Sequence, residues 1–347
     1  MREAQEEHEC TYLTEIVAKN TVTLVTLSQL LIGALVSLIA LVFISYVIEA
    51  LRPAPKPPQT LAWAPRIPIQ YASIGGIKIR YIKTGMGPNL VLLHTLRTQL
   101  DLFEKIVPDL AKSFTVYALD YPGHGYSDIP RAQYDADFFV HSVEEFLNGH
   151  DLRDVTLGGV SIGGAISLII AGRRNARVAR VVAINPYDYA KGRGMTRSSL
   201  LGWMITATSE TPLVGGTVMR LRNFIIMKAV LRGGVADPQS IRPALLREMY
   251  EVGNRSGHYR AFISLLRNAA SWESATKVYR NINVPVCLIW GGKDWSRPSE
   301  REHDRSLIPG AQMTTVEDGG HFLPLDRPQE LSELIIRFGA GSRVRRA

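Results

Sequence analysis

Short hydrophobic runs recur from residue 69 to residue 316, each closed by glycine, asparagine, aspartate or proline and most followed by a stretch with helical spacing. Asn89–Leu93 and Pro285–Trp290 are apolar almost throughout, the pattern of strands buried on both faces rather than one. The runs predict strands at 69–73, 77–82, 89–93, 114–119, 154–158, 180–185, 285–290 and 311–316. Helical spacing predicts helices at 100–112, 134–149, 162–173, 298–307 and 327–338. Strands alternating with helices in this way specify an α/β fold with a doubly wound, mainly parallel sheet. Between Asn185 and Pro285 the alternation stops, and helix-like segments at 198–209, 216–231, 241–255 and 258–270 take over.

The N-terminal pattern is of another kind. No charged residue occurs from Asn20 to Ile48, and Leu30–Ile48 is broken only by Gly33, Ser37, Ser45 and Tyr46. A membrane-spanning helix needs about 20 predominantly apolar residues. A buried core helix would be shorter and carry a polar stripe. A cleaved signal peptide has a short basic leader, whereas this leader holds five glutamates. The pattern therefore predicts an uncleaved single transmembrane anchor. Arg52-Pro53-Ala54-Pro55-Lys56-Pro57-Pro58, with Pro65 and Pro68 beyond, reads as an extended semi-rigid spacer. The predicted organisation is an acidic tail at 1–21, a span at 22–48, a proline-rich linker at 49–68, a body at 69–341 and a basic tail at 342–347. Arg52, Lys56 and Arg66 after the span against Arg2 and Lys19 before it give a three-to-two bias toward a cytoplasmic body.

The chain carries a net charge of +8 over 347 residues. Residues 1–68 hold five basic and six acidic side chains, so the excess belongs to the body. Lys191 to Ser240 has seven Lys/Arg against Glu210 and Asp237. On a body tethered at a bilayer, a basic face of this kind suits anionic lipid, with a merely solvated face as the alternative. No nucleic-acid recognition module accompanies the charge. Neither metal-ligand spacing nor a dinucleotide fingerprint is present, so no cofactor is expected. Cys10 and Cys287 lie in different regions and are not expected to pair.

Candidate chemistry centres on Gly159-Val160-Ser161-Ile162-Gly163, between the predicted strand 154–158 and the predicted helix 162–173. A serine on so tight a turn needs small neighbours, and the turn lifts its hydroxyl above the sheet beside the N–H groups of the new helix. Serine requires a base, and the base an orienting acid. In the strand-turn-helix arrangement the acid and then the histidine follow the serine. His258 and His303 read as solvated helix positions, whereas His321 follows a strand on the loop Glu317–Gly320. Asp294 follows the strand 285–290 on Gly291-Gly292-Lys293, and Asp188, just past the strand 180–185, is the competing acid.

Together with Asp120-Tyr121-Pro122-Gly123-His124-Gly125-Tyr126-Ser127, these motifs resemble the α/β-hydrolase superfamily from about Ile69 to Gly341. The resemblance implies Ser161 as nucleophile, His321 as general base and Asp294 as its orienting acid. It implies an oxyanion hole from the backbone N–H of Ile162 and that of Thr95 or Leu96, in the loop after His94. The family usually has His-Gly there, and Thr95 departs from it. His124 belongs to the turn motif and is expected to be structural. Arg97, in the same loop, is expected to form a salt bridge within the protein, the alternative being a substrate carboxylate. The helical insertion, about 187–280, resembles a cap over the active site, with Trp203, Met204, Phe224, Ile225, Ile226, Met227, Phe262 and Leu265 as candidates for its pocket or its core.

The expected function is a membrane-anchored serine hydrolase acting on a small-molecule or lipid ester through an acyl-enzyme. C–C bond hydrolysis or acyl transfer on the same triad is the alternative, and a non-catalytic scaffold is a third reading. A nucleophilic aspartate, as in dehalogenases, is disfavoured because position 161 is serine.

Overall fold

The computed structural model describes residues 2–189 and 193–340. The first unit is one helix, α1 (Arg2–Ala50), covering both the acidic leader and the apolar run. Within it, Lys19–Ala50 is long and apolar enough, by length and composition, to cross a membrane.

The second unit is built on a nine-stranded sheet of order β1-β2-β3-β5-β4-β6-β7-β8-β9. Its strands are β1 (Thr60–Leu61), β2 (Ala64–Ile74), β3 (Ile77–Thr84), β4 (Asn89–Leu93), β5 (Thr115–Leu119), β6 (Val155–Val160), β7 (Val178–Ile184), β8 (Val286–Gly291) and β9 (Gln312–Val316). Strands from β5 through β4, β6, β7 and β8 to β9 run parallel, while β1, β2 and β3 add antiparallel pairings at one edge. Alternate residues of the central strands feed two cores. Val91, Leu93, Leu157 and Val181 pack on one face, and Leu90, Leu92, Val160 and Val182 on the other.

The body's helices are α2 (Val107–Leu110), α3 (Ala136–Gly149), α4 (Ile162–Gly172), α5 (Leu200–Ser209), α6 (Val214–Arg220), α7 (Phe224–Arg232), α8 (Pro243–Gly253), α9 (His258–Arg267), α10 (Ala269–Ala275), α11 (Pro298–Leu307), α12 (Leu323–Asp326) and α13 (Pro328–Ala340). Helices α5 to α10 all fall between β7 and β8 and form the insertion.

Three expectations are revised. The sheet begins inside the predicted spacer, because Pro65 and Pro68 lie where β2 pairs only with the two-residue β1. Proline's missing N–H is tolerated at such an edge. The single helix expected at 100–112 is a 3₁₀ turn (Leu100–Phe103) followed by α2. Pro108, at the second position of α2, lacks the N–H a continuous helix would need and would clash with the preceding turn. The helix expected at 216–231 is broken between α6 and α7, where the Asn223 side chain caps α7 by accepting from the Ile226 N–H at 3.0 Å. The predicted tail at 342–347 lies outside the described residues.

Candidate active site

Ser161 sits between the end of β6 and the start of α4 with φ 57° and ψ −116°, a backbone region that non-glycine residues enter only where surroundings impose it. Its N–H donates to the Ile184 carbonyl at 2.8 Å, and its own carbonyl accepts from Tyr187 and Ala165 at 3.0 Å each. A Cβ on Gly163 would stand 2.2 Å from the Leu93 carbonyl oxygen, and one on Gly159 would stand 2.2 Å from the Gly163 carbonyl. Those contacts require glycine on both sides of the turn.

His321 follows β9 on its loop and is buried. Its Nδ1 lies 2.6 Å from Asp294 Oδ1, at the turn past β8. A carboxylate only accepts, so Nδ1 carries a proton and the second ring nitrogen, Nε2, is left for another partner. Burial pushes the Asp294 carboxyl up, but the facing His321 and hydrogen bonds from His321 and Ser296 leave it below the ordinary carboxylate range. Asp294 Oδ2 accepts from the Ser296 N–H at 2.8 Å. Asp188 is elsewhere. It accepts from the Tyr279 hydroxyl at 2.7 Å and faces Asp304, and burial raises both carboxyls.

The loop after β4 separates its two candidate donors. The Thr95 N–H donates to Thr98 Oγ1 at 3.2 Å, whereas the Leu96 N–H has no acceptor among the described residues. Ile162 opens α4, and first-turn N–H groups have no intrahelical partner. His94 beneath the loop is neutral. Burial lowers it to about 3, its Nδ1–H donates to the Thr95 carbonyl at 2.8 Å, and its Nε2 accepts from the Tyr121 N–H at 3.3 Å.

The Asp120–Ser127 turn locks this loop in place. Asp120 accepts from Arg80 Nε at 2.6 Å, from the Leu100 N–H at 2.7 Å and from the Tyr126 N–H at 2.8 Å. Arg80 also reaches Asp101 at 2.7 Å. A Cβ on Gly125 would overlap the Asp120 carboxylate at 1.9 Å. Leaving one member of such a buried ionic cluster unpaired costs about 3–5 kcal/mol.

Ser161, His321, Thr95, Leu96 and Arg97 line one narrow cleft, walled by apolar side chains such as Met195, Val230 and Leu231 of the insertion. A second, small cavity adjoins it at Arg97, Met195 and Val230. Ile226, Met227 and Phe262 line this second cavity, Leu265 is core, and Trp203, Met204 and Ile225 are exposed. Phe224 packs edge-on against Tyr250.

Two expectations are corrected here. Arg97 forms no salt bridge among the described residues; its Nη1 donates to His258 Nδ1 at 3.1 Å. His258 is not a solvated helix position. It opens α9, where the left-handed Gly257 at φ 85° turns it inward, and it is buried. His303 is exposed. His124 is buried among the rings of His94, Tyr121, Phe139 and His258.

Sequence reasoning missed Asn185, the residue after β7. Its Nδ2 donates to the carbonyls of Gly320 at 3.1 Å and His321 at 3.0 Å, while its Oδ1 accepts from the Gly291 N–H at 2.8 Å. One amide thus ties the histidine loop to the strand that leads to Asp294. The only local signal is an asparagine, tolerant of positive φ (45° here), at a strand's carboxyl end. Trp295 was missed as well: its ring stacks on the His321 imidazole at 4.1 Å and 14°. Among the described residues, no group of three or more His, Cys, Asp or Glu side chains is placed to hold a metal ion.

Residues 88–328 match the family described as the alpha/beta hydrolase fold. An uncharacterized protein of Mycobacterium tuberculosis strain H37Rv is 27% identical over 279 residues, covering 78% of this chain and 80% of that one. Haloalkane dehalogenase 2 of the same strain is 26% identical over 276 residues, covering 76% and 92%. The crystal structure of wild-type Cfl2 from Burkholderia cenocepacia superimposes with a TM-score of 0.70 at 19% identity, over 82% of this chain and 99% of that one.

Proposed function

Since the chain belongs to the α/β-hydrolase family, we propose that it is a membrane-anchored serine hydrolase that cleaves a carboxylic ester. The observation carrying this reading is the hydrogen-bonded His321–Asp294 couple opening, with Ser161, onto a single cleft. In this mechanism Ser161 Oγ attacks the carbonyl carbon and its proton passes to His321 Nε2. The alkoxide leaving group departs with that proton as the acyl-enzyme forms. Water then attacks the acyl carbon, gives its proton to Nε2, and Ser161 leaves reprotonated. The Ile162 N–H and, because the Thr95 N–H is already engaged, the Leu96 N–H face the developing oxyanion. A dehalogenase among the relatives bears on family and not on reaction, since position 161 here is serine.

The test is labelling of the full chain with a fluorophosphonate, alongside a small panel of esters. Wild type is expected to label at Ser161 and turn over esters, and Ser161→Ala to do neither. Equal labelling of both, or turnover surviving in the alanine variant, refutes the assignment.

For the anchor, support comes from α1, whose apolar side chains from Leu30 to Ile39 are exposed along a helix of spanning length. Expressed in cells, the chain is expected to remain in the membrane fraction after alkaline carbonate extraction. Quantitative release into the supernatant rules the anchor out.

A further inference from the structure

Two arginines of the body, one buried and one partly buried, have carboxylate partners. Arg80 has Asp101 and Asp120, and the partly buried Arg197 has Glu300. Arg97 does not. Its guanidinium donates to neutral His258, makes a 3.3 Å contact to the Met227 sulfur and a marginal 3.5 Å one to the Gly253 carbonyl, and lies 4.9 Å from the centre of the Phe262 ring. None of these groups supplies negative charge.

The surroundings make the cation dearer still. Burial first, then the like charges of Arg222 and Arg52, lower Arg97 to about 9. Burial and the facing Arg97 hold His258 well below its usual value, so it accepts as a neutral ring. The backbone of Arg97 is itself strained, at φ 62°. Such strain persists only where the fold imposes it, and it concentrates at working sites. Here it sends a cation into the boundary between two largely apolar cavities, one lined by Ser161 and the other also by Arg222.

We propose that Arg97 is an anion-binding residue of this active site, and that the substrate is an ester bearing a free carboxylate on an otherwise apolar segment. The inference rests on the serine-hydrolase reading above. A guanidinium presents paired donors that match a carboxylate in planar fashion, and the match strengthens where water is excluded. The apolar walls on either side accommodate the hydrocarbon between the carboxylate and the scissile bond. Arg97 adjoins the Leu96 oxyanion donor in sequence, so charge recognition and carbonyl activation lie on one loop.

Matched ester pairs test it. One pair is mono-p-nitrophenyl adipate and its methyl-capped neutral counterpart; the other is 3-carboxyphenyl and 3-carbamoylphenyl acetate. Wild type is expected to favour the anionic member of at least one pair by about tenfold or more in kcat/KM. Arg97→Gln is expected to lower kcat/KM at least tenfold more for the anionic member than for the neutral one, with the loss chiefly in KM. Arg97→Lys should restore part of that difference. Free adipate should also slow fluorophosphonate labelling of wild type, and adipamide should not, a readout that survives even if a variant misfolds. Neutral esters preferred in both pairs, equal losses on both members, or no protection by adipate would overturn the proposal. Absence of both labelling and turnover would instead sink the serine-hydrolase reading on which it stands.

Discussion

Asp294→Asn is expected to reduce kcat on an ester substrate by about 10⁴-fold while leaving KM within a few-fold. The reason lies in the second oxygen. Asp294 Oδ2 already accepts from the Ser296 N–H at 2.8 Å, so an asparagine places its oxygen there and turns its NH2 toward His321. Facing a donor, His321 Nδ1 must present its lone pair, and the proton moves to Nε2. A protonated Nε2 cannot accept from Ser161. Shape is kept, so a loss of activity with an unchanged thermal midpoint isolates this tautomer effect. Steady-state kinetics and a melting curve on the same preparation decide it; kcat within tenfold of wild type would mean that another group orients the base. Asp188 is the position to examine then, although it is committed to Tyr279 and Asp304.

Acid lability is the second large effect. His94 and His124 are lowered to about 3, each by burial first, and His258 is held well below its ordinary value. Their folded values lie below the unfolded one near 6.5, so the unfolded chain binds more protons as pH falls. Stability is therefore complete above that value and is lost progressively down toward the folded values. Each such histidine costs about 2 kcal/mol by pH 5. Glu248 works in the opposite direction. Burial, then Asp101, raise it to about 7, so its protonation favours the fold as pH drops, and the whole-protein profile is a difference. His124→Phe isolates one contribution: Nε2 has no partner, the ring lies among other rings, and the lost 3.3 Å hydrogen bond from Nδ1 to the Pro122 carbonyl lowers stability alike at both pH values. Between pH 7 and pH 5 the variant should lose about 2 kcal/mol less than wild type in denaturant titrations. Parallel pH curves for the two proteins would show that His124 titrates freely in the folded state.

The serine turn and the sheet were legible because their signals are local. Glycine is forced on both sides of Ser161 by contacts of 2.2 Å, and doubly buried strands are apolar at successive positions. The positions of Asp294 and His321 followed from the rule that such groups collect past the carboxyl ends of parallel strands. What escaped depends on contacts distant in sequence. Asn185 acts on residues 135 and 136 positions away, and nothing beside it in the chain announces this. His258 looked solvated because its neighbours are polar, yet its burial follows from the facing Arg97 loop, 161 positions earlier. The expected salt bridge at Arg97 is missing among the described residues for the same reason: nothing near it in the chain tells which groups fold against it, and one that does is His258. The sheet begins inside the proline-rich stretch because proline density reports a missing donor and not which strand edge needs one.

The connection between the helical insertion and the base has a mechanical consequence. The Phe322 N–H donates to the Gly234 carbonyl at 2.7 Å, the Ala236 N–H to Asp326 Oδ2 at 2.8 Å, and Trp295 Nε1, whose ring stacks on His321, to the Gly233 carbonyl at 3.2 Å. Residues 233–236 are thus riveted to the segment that aims the imidazole. In the proposed mechanism, a displacement of the insertion about this stretch would therefore carry the His321 imidazole with it and misalign it from Ser161.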